Sequence, residues 1–414
     1  MSERYILTLL NKYKDKWDYR ALSHNQEVPW RFIKEQIDRE WNWSVLSSHK
    51  NITWDIIQDN PELKWSYSQI AMNPNITFDI INDNSQIRWN YYYTSSNPNI
   101  TLDLVKDKIN KDWHWAKLTK RATLQTIESN INLPWDWGTV GEKIDTFEFV
   151  KKYQHKDREH MWFVILKKSF MTWENIQELD CWQNINKNTS IQWAWTEISK
   201  NPNITWKIIQ DNLNQPWDFE IISARSIITW DIIINNQNIT WSWNKISINP
   251  NITFEIIQNN LDKPWDWPNV SINKSITFAI ILKNPSAPWN WDDISYYKEI
   301  PYNLFKNNLD KPYSWVDLSR NKSITLEFIR SAIDMPWDWQ YISKQNYLTW
   351  EFIEKYPNLN WNWSSLSRNA ALFKFPVKEY FAVKKIEKYW FQANTNPEYK
   401  VCRYRLLREF ENLI

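Results

Sequence analysis

Glycine is almost missing from this chain: Gly138 and Gly141 are the only two in 414 residues. Phosphate-cradling loops, dinucleotide fingerprints and nucleophile elbows all need glycines at fixed spacing, so none can be built here. The joints must turn by other means. Asn and Asp, which tolerate positive φ best after glycine, are expected there, for example at Asn60, Asn84, Asn212, Asn236, Asn260 and Asn308. Cysteine is as scarce, with Cys181 and Cys402 far apart in sequence. That excludes a disulfide framework and points to a reducing compartment. No run approaches the ~18 apolar residues of a membrane span. Residues 1–10 are too short an apolar run for a signal core and lack a small-residue cleavage site, so secretion is not expected. An excess of one charge is also missing. Fifty Lys and Arg against 48 Asp and Glu leave a net +2, which argues against a dedicated polyanion binder.

Tryptophan, in contrast, is present 32 times. It comes in pairs: Trp41 and Trp43, Trp241 and Trp243, Trp265 and Trp267, Trp289 and Trp291, Trp337 and Trp339, Trp361 and Trp363. Taking the first aromatic of each pair as an anchor, anchors fall 24 residues apart at Trp17, Trp41, Trp65, Trp89 and Trp113, with Trp135 after 22. A second run holds the same period from Trp193 through Tyr313 to Trp361. A fixed period in this range is the mark of a repeat array whose units pack on their neighbours.

The second half of a unit reads as a helix. In residues 201–212, Thr205 suits an N-cap, Trp206 with Ile209 and Ile204 with Ile208 give helical spacings, and the helix should stop near Asn212. Asp55, Asp79, Asp103, Asp231 and Glu255 fall in the first turn of their copies, where an acid meets the positive end of the helix dipole. The first half, such as residues 218–223, reads as another brief helix started by Asp, Asn or Ser. A leucine-rich unit with one strand per repeat is the rival, but its Leu-x-x-Leu-x-Leu pattern is missing. The fold expected is therefore all-α: an α-solenoid of about fifteen two-helix repeats, with the indoles as its buried core.

Five segments are expected. Residues 1–16 form an N-terminal capping helix, and 17–139 a first repeat array. Residues 140–192 are irregular, with Trp162, Trp173 and Trp182 as degenerate copies. Residues 193–372 form a second array, and 373–414 a helical C-terminal cap, since solenoids need atypical ends.

No motif commits to catalysis, a cofactor or a metal. His24 and His49 stand at joints, where a turn or capping role is expected. His155 and His160, with Asp157, Glu159 and Cys181, match no zinc spacing, because two histidines five residues apart do not share a helix face. The acidic residues repeat at one phase, as capping groups do, whereas a catalytic pair is singular. Residues three and four past each anchor differ between copies, from Ser44-Val45 through Tyr92-Tyr93 to Asp292-Asp293. They mark an exposed face that either drifts neutrally or binds protein. Tyr91, Tyr92 and Tyr93 form its one aromatic cluster, a candidate partner contact. The basic C-terminal region, with Lys384, Lys385, Lys388, Arg403 and Arg405, is the second candidate.

The phrases Asn201-Pro-Asn-Ile-Thr-Trp-Lys-Ile-Ile-Gln-Asp-Asn212 and Pro264-Trp-Asp-Trp267 resemble the Trp-, Asn- and Ile-rich tandem repeats of giant, mimivirus-like DNA viruses that infect amoebae. The resemblance covers about residues 17–369, weakly over 140–192. It implies a viral source, with the protein in the virion or the infected cytoplasm, and no activity. A non-enzymatic scaffold for protein–protein interaction is the expectation. A nucleic-acid-binding solenoid using the basic C-terminal region is the alternative.

Overall fold

Two local signals, repeated, dictate the architecture. Thr at the end of the Asn-Ile-Thr phrases of residues 51–53, 75–77, 203–205 and 251–253 caps a helix of five or six residues. Thr205 Oγ1 accepts the Ile208 amide at 3.3 Å and the helix Trp206–Asp211 follows, ending at Asn212. An Asp, Asn or Ser just past the anchor caps the other helix: Asp218 accepts from Ile221 and Asn290 from Asp293. The computed structural model describes residues 2–154, 158–179 and 192–374. Among them are helices and turns and no strand, an α-solenoid of two-helix repeats. The chain forms two compact units: Met1–Asn42 with Ser343–Ile414, and Trp43–Ile342.

Helices this short are unstable alone. Burial of the anchor holds them. Trp41, Trp89, Trp113, Trp217, Trp265 and Trp337 are all buried. Each such ring removes about 150–250 Å² from water, on the order of 5 kcal/mol before entropy. The indole N–H is satisfied locally, by the carbonyl five residues back: Trp65 to Asn60 at 2.8 Å, Trp217 to Asn212 at 2.8 Å, Trp265 to Asn260 at 2.7 Å. The second aromatic meets the next anchor edge-on, Trp43 on Trp65 at 5.2 Å and Trp243 on Trp265 at 5.3 Å.

Two expectations need correction. Among the described residues none has positive φ. The joint asparagines are used for their amides. Asn60 sits at φ −135°, ψ 58°, and its Nδ2 donates back to the Ile56 carbonyl at 2.7 Å. Nor are all the indoles hidden. The second ring of most pairs is only half-buried, at the opening residue of its helix.

Polar contacts then fix one repeat on the next. The Ser six past the anchor takes the amide of the following repeat: Ser66 N donates to Ser47 Oγ at 2.8 Å, Asp266 N to Ser247 Oγ at 2.9 Å. The Asn eight past the anchor is a buried donor to three carbonyls of the preceding repeat. Asn73 Nδ2 reaches Ser47, His49 and Ile52 at 3.0–3.1 Å. Asn97 and Asn249 repeat the pattern. His49 fills this position with a buried ring, its Nδ1 accepting the Asn51 amide at 3.2 Å. The register continues through the sequence-irregular middle. Lys168 Nζ donates to the Glu142 and Ile144 carbonyls, and Asn201 to those of Leu166, Lys168 and Met171. There Gly141 stands where other repeats carry Ser. A Cβ at this position would lie 3.2 Å from the Met161 carbonyl oxygen and 3.3 Å from Val164 Cβ, so the helices Trp137–Lys143 and Arg158–Ile165 approach closely.

Tyr313 is the one anchor of the second run that is not Trp, and its buried hydroxyl has no partner. Restoring an indole would direct an N–H at the Asn308 carbonyl and remove the orphan. Tyr313→Trp should therefore raise the unfolding free energy by about 1–2 kcal/mol, read as a higher urea midpoint. An unchanged or lower midpoint would contradict this.

Candidate interaction surface

The first helix of each repeat has two inward positions and one outward edge. Five past the anchor, Leu46, Ile70, Ile222, Ile246, Val270, Ile294, Leu318 and Ile342 are fully buried. The next residue, except at Ala71, is the buried Ser that holds the following repeat. Helical geometry then turns the third position outward. Ser44, Tyr92, Glu220, Asn244, Pro268, Asp292, Val316 and Gln340 are exposed accordingly. In the unit Trp43–Ile342 these residues define a strip that is continuous over the consecutive first helices from Glu220 to Gln340, while the equivalent Ser68, Ala116 and Thr196 are half-buried.

Chemistry changes along the strip. Tyr92 is 46% and Tyr93 37% exposed; Tyr92 lies 4.5 Å from the His114 ring and 5.8 Å from Tyr93. Tyr91 does not belong with them. It is the second aromatic of its repeat, half-buried and edge-on to Trp113 at 5.0 Å. Further along, Lys245 pairs with Glu220 at 3.4 Å, and Asn244 Nδ2 donates to Asp266 at 3.1 Å. Asp293 follows, its carboxyl held above the usual range by burial and by Asp292, Asp317 and Asp266. Arg320 closes this stretch, 3.5 Å from Asp338 and over the Tyr341 ring.

Elsewhere in that unit, an open depression of about 580 Å³ lies beside Arg121, lined also by Asp103, Lys106, Gln125 and Asn130. Among the described residues no group of three His, Cys, Asp or Glu side chains converges as a metal site would, and no helix is long and apolar enough to cross a membrane. Lys384, Lys385, Lys388, Arg403 and Arg405 lie outside the described residues, as do Cys181 and the side chains of His155 and His160.

Sequence reasoning missed that the joint position accepts a cation in place of Asn. Arg225 donates to the Ser199, Asn201 and Ile204 carbonyls at 2.8–3.0 Å, and Arg121 to those of Asn97 and Ile100. Lys298, one place later in its repeat than Arg121 or Arg225, donates its Nζ to the Asn273 carbonyl at 2.6 Å. The available signal was that every residue eight past an anchor in these repeats can donate.

Burial pushes Lys298 down to about 8 from 10.5. The sign of the consequence follows. Below pH 8 both folded and unfolded chains hold the proton, and the full cost of burying an ammonium is present. Between about 8 and 10.5 the unfolded chain binds more protons, so this group adds stability as pH rises. From pH 7 to 9.5 that contribution is about 2 kcal/mol. Urea midpoints should show it as a gain in the wild type that Lys298→Met lacks; equal pH profiles would refute it.

No protein-family model matches the chain, and neither a curated protein nor a solved structure matches it.

Proposed function

We propose that this chain is a non-enzymatic repeat scaffold that binds protein partners through the exposed strip of its first helices, as a component of the virion or infected cytoplasm of a giant virus. One observation carries the reading. Constant buried residues alternate with an exposed position whose side chain differs in nearly every repeat, from Tyr92 to Asp292 to Val316. Half-buried aromatic rings border that position, and such rings anchor protein interfaces at low entropic cost. Carboxylates support the non-enzymatic part, because Asp136, Asp218 and Asp266 are engaged as N-caps.

The test uses the purified full chain and a variant with Tyr92→Ser, Tyr93→Ser, Asp292→Ser and Val316→Ser as parallel baits. A defined protein should bind the first and be lost from the second, with both baits equally stable. Equal capture by both baits would defeat the reading. So would binding confined to single-stranded oligonucleotides and lost with added salt, which is the outcome for a nucleic-acid binder.

A further inference from the structure

The first repeat sits where a successor to the last repeat would sit. Between consecutive repeats, three contacts recur: the amide after the anchor to the preceding Ser Oγ, the joint Asn amide to that Ser carbonyl, and the anchor ring edge-on to the preceding second aromatic. For the repeats of Trp41 and Trp65 these are Ser66 N to Ser47 Oγ, Asn73 Nδ2 to the Ser47 carbonyl, and Trp65 on Trp43. All three reappear between the chain's ends. Asp18 N donates to Ser367 Oγ at 3.1 Å, Asn25 Nδ2 to the Ser367 carbonyl at 3.0 Å, and Trp17 meets Trp363 at 5.4 Å and 74°. The helix Ser2–Lys12 precedes Trp17 as a second helix precedes each later anchor. Its Leu10 carbonyl takes the Trp17 indole N–H at 3.0 Å. Just beyond it, Tyr13 stacks on Trp350 at 5.0 Å and 13°.

The contacts of Trp17, Asp18 and Asn25 are therefore those of any two consecutive repeats, and only Lys12 and Tyr13, which both meet Glu354, add contacts of their own. We propose that the contact is exchangeable: the first repeat of one copy seats on the last repeat of a second copy of this chain, in the register seen within the chain. Two different faces meet, so the association is heterologous, head to tail, and exchanges an identical element. The intramolecular contact needs no second chain, so a lone wild-type chain at micromolar concentration keeps it in cis.

The experiment removes one face from each of two full-length variants. One carries Trp17→Ala with Asn25→Ala, and the other Trp363→Ala with Ser367→Leu. Neither can make the contact with itself. Mixed, the intact last repeat of the first variant meets the intact first repeat of the second. Light scattering should show a one-to-one dimer of twice the chain mass in the mixture and in neither variant alone. A mixture that stays monomeric up to about 100 μM of each variant, where even a weak complex of that Kd would be roughly 40% formed, overturns the proposal. If either variant loses its far-UV helical signal, the decision passes to cysteine trapping. In a background with Cys181→Ser and Cys402→Ser, Asp18→Cys and Ser367→Cys are placed on separate full-length chains and oxidised together at high concentration. A disulfide-linked heterodimer supports exchange. Its absence, where the double variant cross-links within one chain, overturns it.

Discussion

Asn97→Asp is expected to lower the unfolding free energy by on the order of 3–5 kcal/mol at neutral pH. The change is one atom in size. The Asn97 side chain is fully buried, with Nδ2 donating to the Ala71, Asn73 and Ile76 carbonyls at 2.9–3.1 Å and Oδ1 accepting the Asn99 amide at 2.9 Å. A carboxylate keeps the acceptor and turns the donor end into negative charge facing three carbonyl oxygens. Buried polar groups left unpaired cost about 1–3 kcal/mol each, and a buried unpaired charge costs more. The carboxyl should respond by raising its pKa above the ordinary ~3.9. The folded state then binds the proton more readily, so the deficit should shrink as pH falls from 7 towards 4.5. Urea midpoints by far-UV circular dichroism at the two pH values read both effects. Hydrogen exchange across residues 71–100 shows whether the loss is local. A loss under 1 kcal/mol, or one independent of pH, would contradict this reading of the joint.

Trp265→Ala is the second large effect, an expected loss of about 3–5 kcal/mol. The Trp265 ring is 8% exposed, meets Trp243 edge-on at 5.3 Å and lies 5.8 Å from Trp230. Truncation opens a cavity between two repeats that short, tightly capped helices cannot collapse to fill. Trp265→Phe separates the two contributions. It keeps a ring in place and loses the N–H to the Asn260 carbonyl, so it should cost about 1–2 kcal/mol. Were both variants to lose the same amount, the hydrogen bond rather than the ring would be carrying the anchor.

Much of the repeat was legible because its signals are local. Thr205 caps three residues ahead, Asp218 does the same, and the period of Trp217, Trp241 and Trp265 needs no tertiary knowledge. The joint was half legible. Asn60 reads as a turn residue and bonds its own helix, while Asn73, at the other joint of the repeat, bonds carbonyls 21–26 residues earlier. Nothing in a single repeat reveals an acceptor in another. The seating of Trp17 against Trp363 was invisible for a related reason, since every repeat carries the same two faces. In the candidate surface, three consecutive tyrosines drew the eye as one cluster. The repeat phase divides them, because Tyr91 is a packing ring and Tyr92 and Tyr93 face outward.

The central claim is that a buried donor at the joint, of whatever chemical type, locks each repeat to the one before it. Substituting Asn249 measures this most directly, because Asn249 spans the Ser223, Arg225 and Ile228 carbonyls while Arg225 does the same work one repeat earlier. Urea midpoints of Asn249→Arg and Asn249→Leu should be compared side by side. The arginine variant is predicted to stay within about 1 kcal/mol of the wild type, and the leucine variant to lose about 3 kcal/mol or more through unpaired carbonyls. A leucine variant as stable as the arginine variant would show that packing alone holds the repeats, and the account would fall.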